Sequence, residues 1–238
     1  FIRKMLEPVE TAQKKQTQFI ASASHELRTP LAVVRSGLES VEKCSNEEAR
    51  NHFLHLMSEE TVHMKRLIDD MLLLANSDAD TLTIKLEACQ PDLLLLDTYE
   101  KFEPLAKKNG IHLNLTLPEE ILPDCFCDIH RTEQIFSIIV DNALCYTPSG
   151  GKVTLSCHAE NEMLCFLFED TGCGILEEKK SHIFERFYRA DDAHTDREHF
   201  GLGLCIAKEL TEKQNGNIQV VDAPISGSCF MVQLPCAL

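Results

Sequence analysis

At 238 residues and 44% hydrophobic content, the chain is long enough for one large globular domain or two small ones. Its formal charge of −15 argues against nucleic acid and against an anionic membrane surface, both of which call for a basic face. A polyanionic ligand would need local positive charge or a metal. No apolar run approaches the roughly 18 residues that span a bilayer, and no signal peptide opens the chain, so this stretch reads as soluble and outside the membrane.

From Phe1 to about Cys44 the sequence reads as one long helix, with no glycine before Gly37. With Phe19 at zero and about 100° per residue, Ala23, Leu27, Leu31, Val34, Leu38 and Val41 fall in a band of roughly 120°, which predicts a buried stripe. His25 lies near 240° on that wheel, with Ser22 and Thr29 on its side, so it is expected to face solvent. Pro30 cannot donate to the carbonyl of Glu26, which predicts a loosened or bent turn beside His25.

Ser45 and Asn46 offer a turn and an N-cap, and Glu47 and Glu48 suit the first turn of a second helix. Its apolar positions Phe53, Met57, Met64, Leu67, Ile68, Met71, Leu72 and Ala75 share one face. Two antiparallel helices with one stripe each leave half of each stripe wet. A second copy, giving a dimeric four-helix bundle, covers both; packing of a monomeric hairpin on the following domain is the alternative.

The helical pattern fails from Asn76 to Asp80, which marks a boundary and a candidate hinge. Beyond it Thr81 to Glu87 alternates as a strand, Pro91 to Lys108 reads as a helix, and Ile111 to Leu117 alternates again. A helix from about Arg131 to Tyr146 follows, then strands Lys152 to His158 and Met163 to Glu169 around a turn at Asn161. A helix from about Gly201 to Lys213 and strands Asn217 to Val221 and Ser228 to Leu234 close the chain. Strands and helices mixed in this way predict a sheet with helices on one face.

Eleven cysteines are present without a Cys-x-x-Cys pair. Cys125, Cys127 and His130 form a C-x-C-x-x-H run without a fourth ligand nearby, and buried free thiols are the better reading than zinc.

Several short runs carry chemistry. Asn142 sits on the apolar face of its helix, where an unpaired amide would cost about 1 to 3 kcal/mol; its partner is a backbone group, water, a metal or a phosphate. In DTGCGI, Asp170 at a strand end can receive an adenine amino group while Gly172 and Gly174 let the ring approach. In HFGLGL, Gly201 and Gly203 open a helix whose free amides can meet phosphate. Between them, IFERFYR holds Phe184 and Phe187 as anchors for a movable lid, with Arg186 and Arg189 as the nearest cations.

The run SHELRTPL resembles the phosphoacceptor box of sensor histidine kinases. The order of that box, DNA, DTGCGI, FERFYR and GLGL resembles the same family, whose ATP domain has the Bergerat fold of gyrase-type ATPases. The resemblance covers about Phe19 to Pro235. It implies an α plus α/β chain: a dimeric helical hairpin in residues 1–76, a linker and first strand in 77–88, and an α/β sandwich ATP-binding domain with a mixed sheet in 89–238.

It implies His25 as the nucleophile, Glu26 as the group that orients it and accepts its proton, and Thr29 as a positioner of water during dephosphorylation of a partner. ATP would be held by Asn142 through Mg²⁺, by Asp170 at the adenine, by Arg189 near the γ-phosphate and by Gly201, Leu202, Gly203 and Leu204 at the phosphates, with Tyr146, Gly172, Gly174 and Phe187 completing the site. The implied partners are a second copy and the receiver domain of a response regulator, in a cytoplasmic fragment of a plasma-membrane sensor whose upstream part is absent. A kinase-impaired protein acting mainly as a regulator phosphatase is the alternative, and a non-catalytic scaffold is a further rival.

Two positions depart from the family. Ile138 stands where a second asparagine is frequent, and Cys145 where a basic residue often precedes YTP. Loss of one charge-assisted contact, about 1.5 to 3 kcal/mol, predicts transfer slowed by about tenfold to a hundredfold rather than abolished.

Overall fold

The computed structural model describes residues 2–189, 200–223 and 227–237, side chains excepted at 2–12, 14–16 and 222. Helix α1 (Ile2–Lys43) turns back into α2 (Glu47–Asp78). The return is built as the sequence predicts: the side chain of Asn46 accepts from the Glu48 amide at 2.9 Å, and both acids lie in the first turn, where the helix dipole favours negative charge. Helix α1 is continuous through Pro30.

Burial along the hairpin follows a narrower seam than the predicted stripes. Ala23, Pro30 and Gly37 on α1 and Met57 and Leu67 on α2 are buried, with Gly37 against the Met57 side chain, whereas Leu31 and Leu38 stay more than half exposed. On α2 the buried side chains are Met57, Leu67, Leu73, Leu74 and Ser77, while Ile68, Leu72 and Ala75 are exposed. Only the edge of each stripe meets the other helix, and the remainder is an apolar face on the outside of the hairpin.

Helix α2 continues to Asp78, beyond the expected break, and the left-handed Asp80 ends it at φ 53°. The stretch from Thr81 to Leu86 has the predicted alternation of burial but no ladder partner; pairing starts with β1 (Glu87–Cys89). Alternation there records an extended segment lying half-buried on the domain, held by the Lys85 amide donating to Asp128 Oδ2 at 2.9 Å.

The domain then runs α3 (Pro91–Lys108), β2 (His112–Thr116), β3 (Cys125–Cys127), α4 (Ile129–Tyr146), β4 (Lys152–Glu160), β5 (Met163–Asp170), α5 (Glu177–Lys180), α6 (Gly203–Glu212), β6 (Asn217–Asp222) and β7 (Ser228–Pro235). The main sheet has the order β2-β4-β5-β7-β6; β2 and β4 are parallel and the other pairs antiparallel. A parallel pair needs a crossover, and α4 lies in it. Strands β4 and β5 form a two-residue hairpin through Asn161 and Glu162, at φ 50° and 63°, the both-positive geometry that matches strand twist.

Helices α3, α4 and α6 pack side by side as the second layer. At its centre Phe136 meets the rings of Phe166 and Phe168, with centroids 4.8 and 5.0 Å away. The fully buried Gln214, just past α6, accepts from the Asp128 amide at 2.7 Å and donates to the Leu210 carbonyl at 3.0 Å, fixing the start of α4 against the end of α6. Those two helices carry the residues that follow.

Phe136→Ala is expected to lower the unfolding free energy of this domain by about 3–5 kcal/mol, read from urea denaturation followed by circular dichroism.

Candidate functional site: a nucleotide cavity facing the helical hairpin

Asn142, Tyr146, Asp170, Gly174, Arg189 and Gly201 to Leu204 line one cavity of about 380 Å³, within the range of small-molecule sites, roughly 300–1,000 Å³. Residues scattered over 63 positions thus converge, because α4, the end of β5 and the start of α6 meet at one edge of the domain.

Asp170 is 3% exposed and accepts at one oxygen from the amides of Gly172 (2.8 Å) and Ser228 (3.3 Å). Burial raises its carboxyl above the ordinary carboxylate range, and the two amides oppose that rise. A donor from a bound base would assist the amides. Gly227 is required by this arrangement: it sits at φ 92°, and a Cβ there would lie 2.0 Å from the Asp170 carbonyl oxygen. Gly172 contributes its amide and lies against the Tyr146 carbonyl, outside the lining.

Asn142 is half-buried rather than buried, and its Nδ2 donates to the Ile138 carbonyl at 2.8 Å. The backbone is therefore the partner of the amide nitrogen, and Oδ1 is the atom chemically suited to a cation. At α6 the N-cap is Leu202 with no side-chain cap, so the orphan amides of the first turn are available to an anion at the cavity. Gly201 holds φ 71°, and a Cβ on it would stand 2.7 Å from the Tyr188 carbonyl oxygen.

Phe187 is not among the lining residues. Its ring meets Phe19 of α1 at 5.6 Å between centroids, which makes it an anchor between domains. Arg186 lies over the same Phe19 ring at 5.3 Å and makes two hydrogen bonds to the Asp78 carboxylate, at 2.8 and 2.7 Å. Ser77 donates to Glu209 on α6 at 2.8 Å, and Lys213 pairs with Asp80. Residues 190–199, from the end of IFERFYR to the start of HFGLGL, lie outside the described residues.

Sequence reading alone does not reveal that the cavity is closed on one side by α2, through Arg66, Asp69 and Asp70. Burial, and then the neighbouring Asp69, push Asp70 up to about 6, with Arg66 acting against them. His25 lies elsewhere. It is exposed, beside Arg28 and Thr29, on a shallow depression bordered by Val33, Phe53, Leu56 and Met57. Glu26 is half-buried and makes no hydrogen bond to His25, in keeping with adjacent positions on a helix. Thr29 is exposed on the His25 side.

The His Kinase A (phospho-acceptor) domain matches residues 15–80, and the histidine kinase-, DNA gyrase B- and HSP90-like ATPase matches residues 127–238. The sensor histidine kinase RppB of Synechocystis is 32% identical over 97% of this chain and 51% of its own length. The chain belongs to the sensor histidine kinases. It spans between 37% and 51% of the length of the curated relatives it matches. Full-length ShkA, solved with AMPPNP, is 28% identical with a TM-score of 0.70 over 93% of this chain and 46% of ShkA. The histidine kinase ThkA, solved with the response regulator TrrA, shares the fold at 19% identity, with a TM-score of 0.74 over 98% of this chain and 67% of that one. Among the described residues no helix is long and apolar enough to cross a membrane.

The raised carboxyl of Asp70 sets a pH dependence for the folding stability of the chain. A group whose folded value lies near 6 and whose ordinary value is 3.8 favours the folded state fully below the lower value and loses that contribution as pH rises through the upper one. Asp70→Asn is expected to raise the thermal midpoint by about 2–4 °C at pH 8 and by nothing at pH 3, read by differential scanning fluorimetry.

Proposed function

We propose that this chain is the catalytic core of a sensor histidine kinase: it binds ATP in the cavity between α4 and α6, transfers the γ-phosphoryl group to His25, and passes it to an aspartate of a response-regulator receiver domain. The observation that carries the reading is the meeting of Asn142, Asp170, Arg189 and the Gly201–Leu204 turn in one cavity that opens against the hairpin displaying His25. In chemical terms a neutral imidazole nitrogen of His25 attacks the γ-phosphorus, the bond to the β-phosphate oxygen breaks, ADP leaves, and the ring proton passes to Glu26. Asp170 accepts the adenine amino group, the α6 amides face the phosphates, and Arg189 compensates charge at the γ-phosphate. Mg²⁺ held by Asn142 Oδ1 would neutralise the phosphate oxygens.

The exposed ridge of Leu31, Leu38, Ile68 and Leu72 is the surface on which a second copy would form a four-helix bundle, since those side chains have no cover within one chain. The homologues do not favour the alternative of a protein acting mainly as a phosphatase.

The cavity in this arrangement faces Asp69 and Asp70, and His25 is not part of it. On α1, His25 stands six positions past Phe19, the contact of Phe187, about 9 Å further along the helix axis, so the ATP-binding domain has to move along the hairpin before a nucleotide meets the imidazole. The contacts at Ser77, Asp78 and Asp80 therefore hold a waiting arrangement, with residues 76–80 as hinge and the domain borders expected from the sequence, 1–76, 77–88 and 89–238.

Incubation with radiolabelled ATP and magnesium is expected to give acid-labile label on the wild type and none on His25→Gln. Asp170→Asn is expected to weaken ATP binding by about tenfold to a hundredfold in calorimetric titration; label that survives loss of the imidazole overturns the assignment. Arg186→Ala, by freeing the hinge, is expected to increase the initial labelling rate by about fivefold. An unchanged or slower rate would show that the docked arrangement does not restrain transfer.

A further inference from the structure

Three thiols of the ATP-binding domain converge at a place the nucleotide chemistry does not use. Strands β1 and β3 pair antiparallel with Cys89 opposite Cys125, and Cys127 stands two residues beyond Cys125. Side chains two apart on a strand share a face, so the register turns all three sulfurs to one side of the ribbon. They lie within 4.8 Å of one another, with Cys89 and Cys127 in contact at 3.3 Å. Cys125 and Cys127 are fully buried and Cys89 is half-buried, which leaves one approach, along Cys89. The histidine of the C-x-C-x-x-H run takes no part: His130 is exposed and faces Glu133 at 3.6 Å. Its place is taken by a cysteine 36 positions upstream of Cys125.

We propose that Cys89, Cys125 and Cys127 form a three-coordinate thiolate site for a soft monovalent cation of the Cu(I) class. A metal–thiolate bond of about 2.3 Å sets three sulfurs about 4 Å apart around one ion in a trigonal plane, so the cluster needs only a small opening between Cys89 and Cys127. The donor set selects the class. Three thiolates without imidazole or carboxylate suit Cu(I), whereas structural zinc takes four ligands, and no fourth donor joins the group among the described residues. Each thiol that binds releases its proton to solvent, and the copper stays Cu(I) throughout.

Position gives such an ion a consequence. Cys89 ends the segment that leads from the hinge into the domain, and Cys127 precedes Asp128, which caps α4 through the Arg131 amide at 3.1 Å and holds Lys85. A bound ion would fasten the hinge-side strand to the foot of the helix that carries Asn142. The ribbon has three residues per strand, and a cross-link adds most to a ladder that short.

The test is anaerobic titration of the 238-residue chain with Cu(I) against a chromophoric Cu(I) chelator. A second group, His158, Glu160 and Cys165, serves as internal control. The expected result is one tight Cu(I) per chain, with affinity lowered by at least about a hundredfold in Cys89→Ser and unchanged in Cys165→Ser and Cys44→Ser. X-ray absorption of the loaded wild type, which needs no variant to fold, is expected to show three sulfur neighbours. Full affinity in Cys89→Ser, loss in Cys165→Ser, or two-sulfur coordination in the wild type would each overturn the site.

Discussion

The guanidinium of Arg186 joins three elements at once: its two nitrogens hold the Asp78 carboxylate at the end of α2, its plane covers Phe19 on α1, and Glu209 on α6 lies 3.8 Å away. The direction in which the nucleotide cavity opens depends on this junction. The fork makes Asp78 more acidic than a free carboxylate, yet a partly exposed pair of this kind stabilises by only about 1 kcal/mol. Apolar burial supplies the larger share, because Leu67 and Leu74 are wholly enclosed and each such side chain contributes about 1.5–3 kcal/mol. The ion pair fixes register and the leucines supply adhesion. A junction of that make-up is strong enough to persist and weak enough to open in the proposed reaction.

Its charge balance points the same way. The cavity holds Asp69, Asp70, Asp141 and Asp170 against Arg66 and Arg189, in a chain of charge −15. A nucleotide brings further negative charge into that space, so phosphate has to be met by the α6 amides and by a cation. At this boundary the Asp70 carboxyl is raised by burial and then by the neighbouring Asp69. Nucleotide entry and separation from α2 are thereby coupled, since both relieve or aggravate the same crowding of carboxylates.

What the sequence made legible has local causes. Asn46 before two glutamates, Pro91 at the first position of α3, and Asn161 between two alternating runs each determine their neighbours' backbone within a few residues. The cavity was legible through the order and spacing of the runs that hold Asn142, Asp170 and Gly201 to Leu204, each of which is a weak signal alone. What escaped is non-local. Strands β1 and β3 have three residues each and are defined only by pairing with one another across 35 positions, so no window along the chain reveals them. The partner of Phe187 is Phe19, 168 positions earlier, and the exposure of Ile68 and Leu72 depends on which edge of α2 meets α1. Thr81 to Leu86 alternates because it is half-buried, and half-burial is all that alternation reports.

Ile138 shows how a polar position can become apolar without loss to the fold. Its γ2 methyl stands 3.1 Å from where a Cβ on Gly203 would be, so the two residues close the cavity floor between α4 and α6. Gly203 thus has a packing reason as well as a phosphate-facing one, and a larger residue there would need Ile138 to move. The isoleucine leaves no unpaired donor, and its own carbonyl accepts from Asn142, so the site keeps its shape while offering one fewer oxygen to a metal. In the proposed reaction the departure would bear on how firmly a cation is held, and a site with one amide ligand in place of two would rely correspondingly more on Arg189 and on the α6 amides.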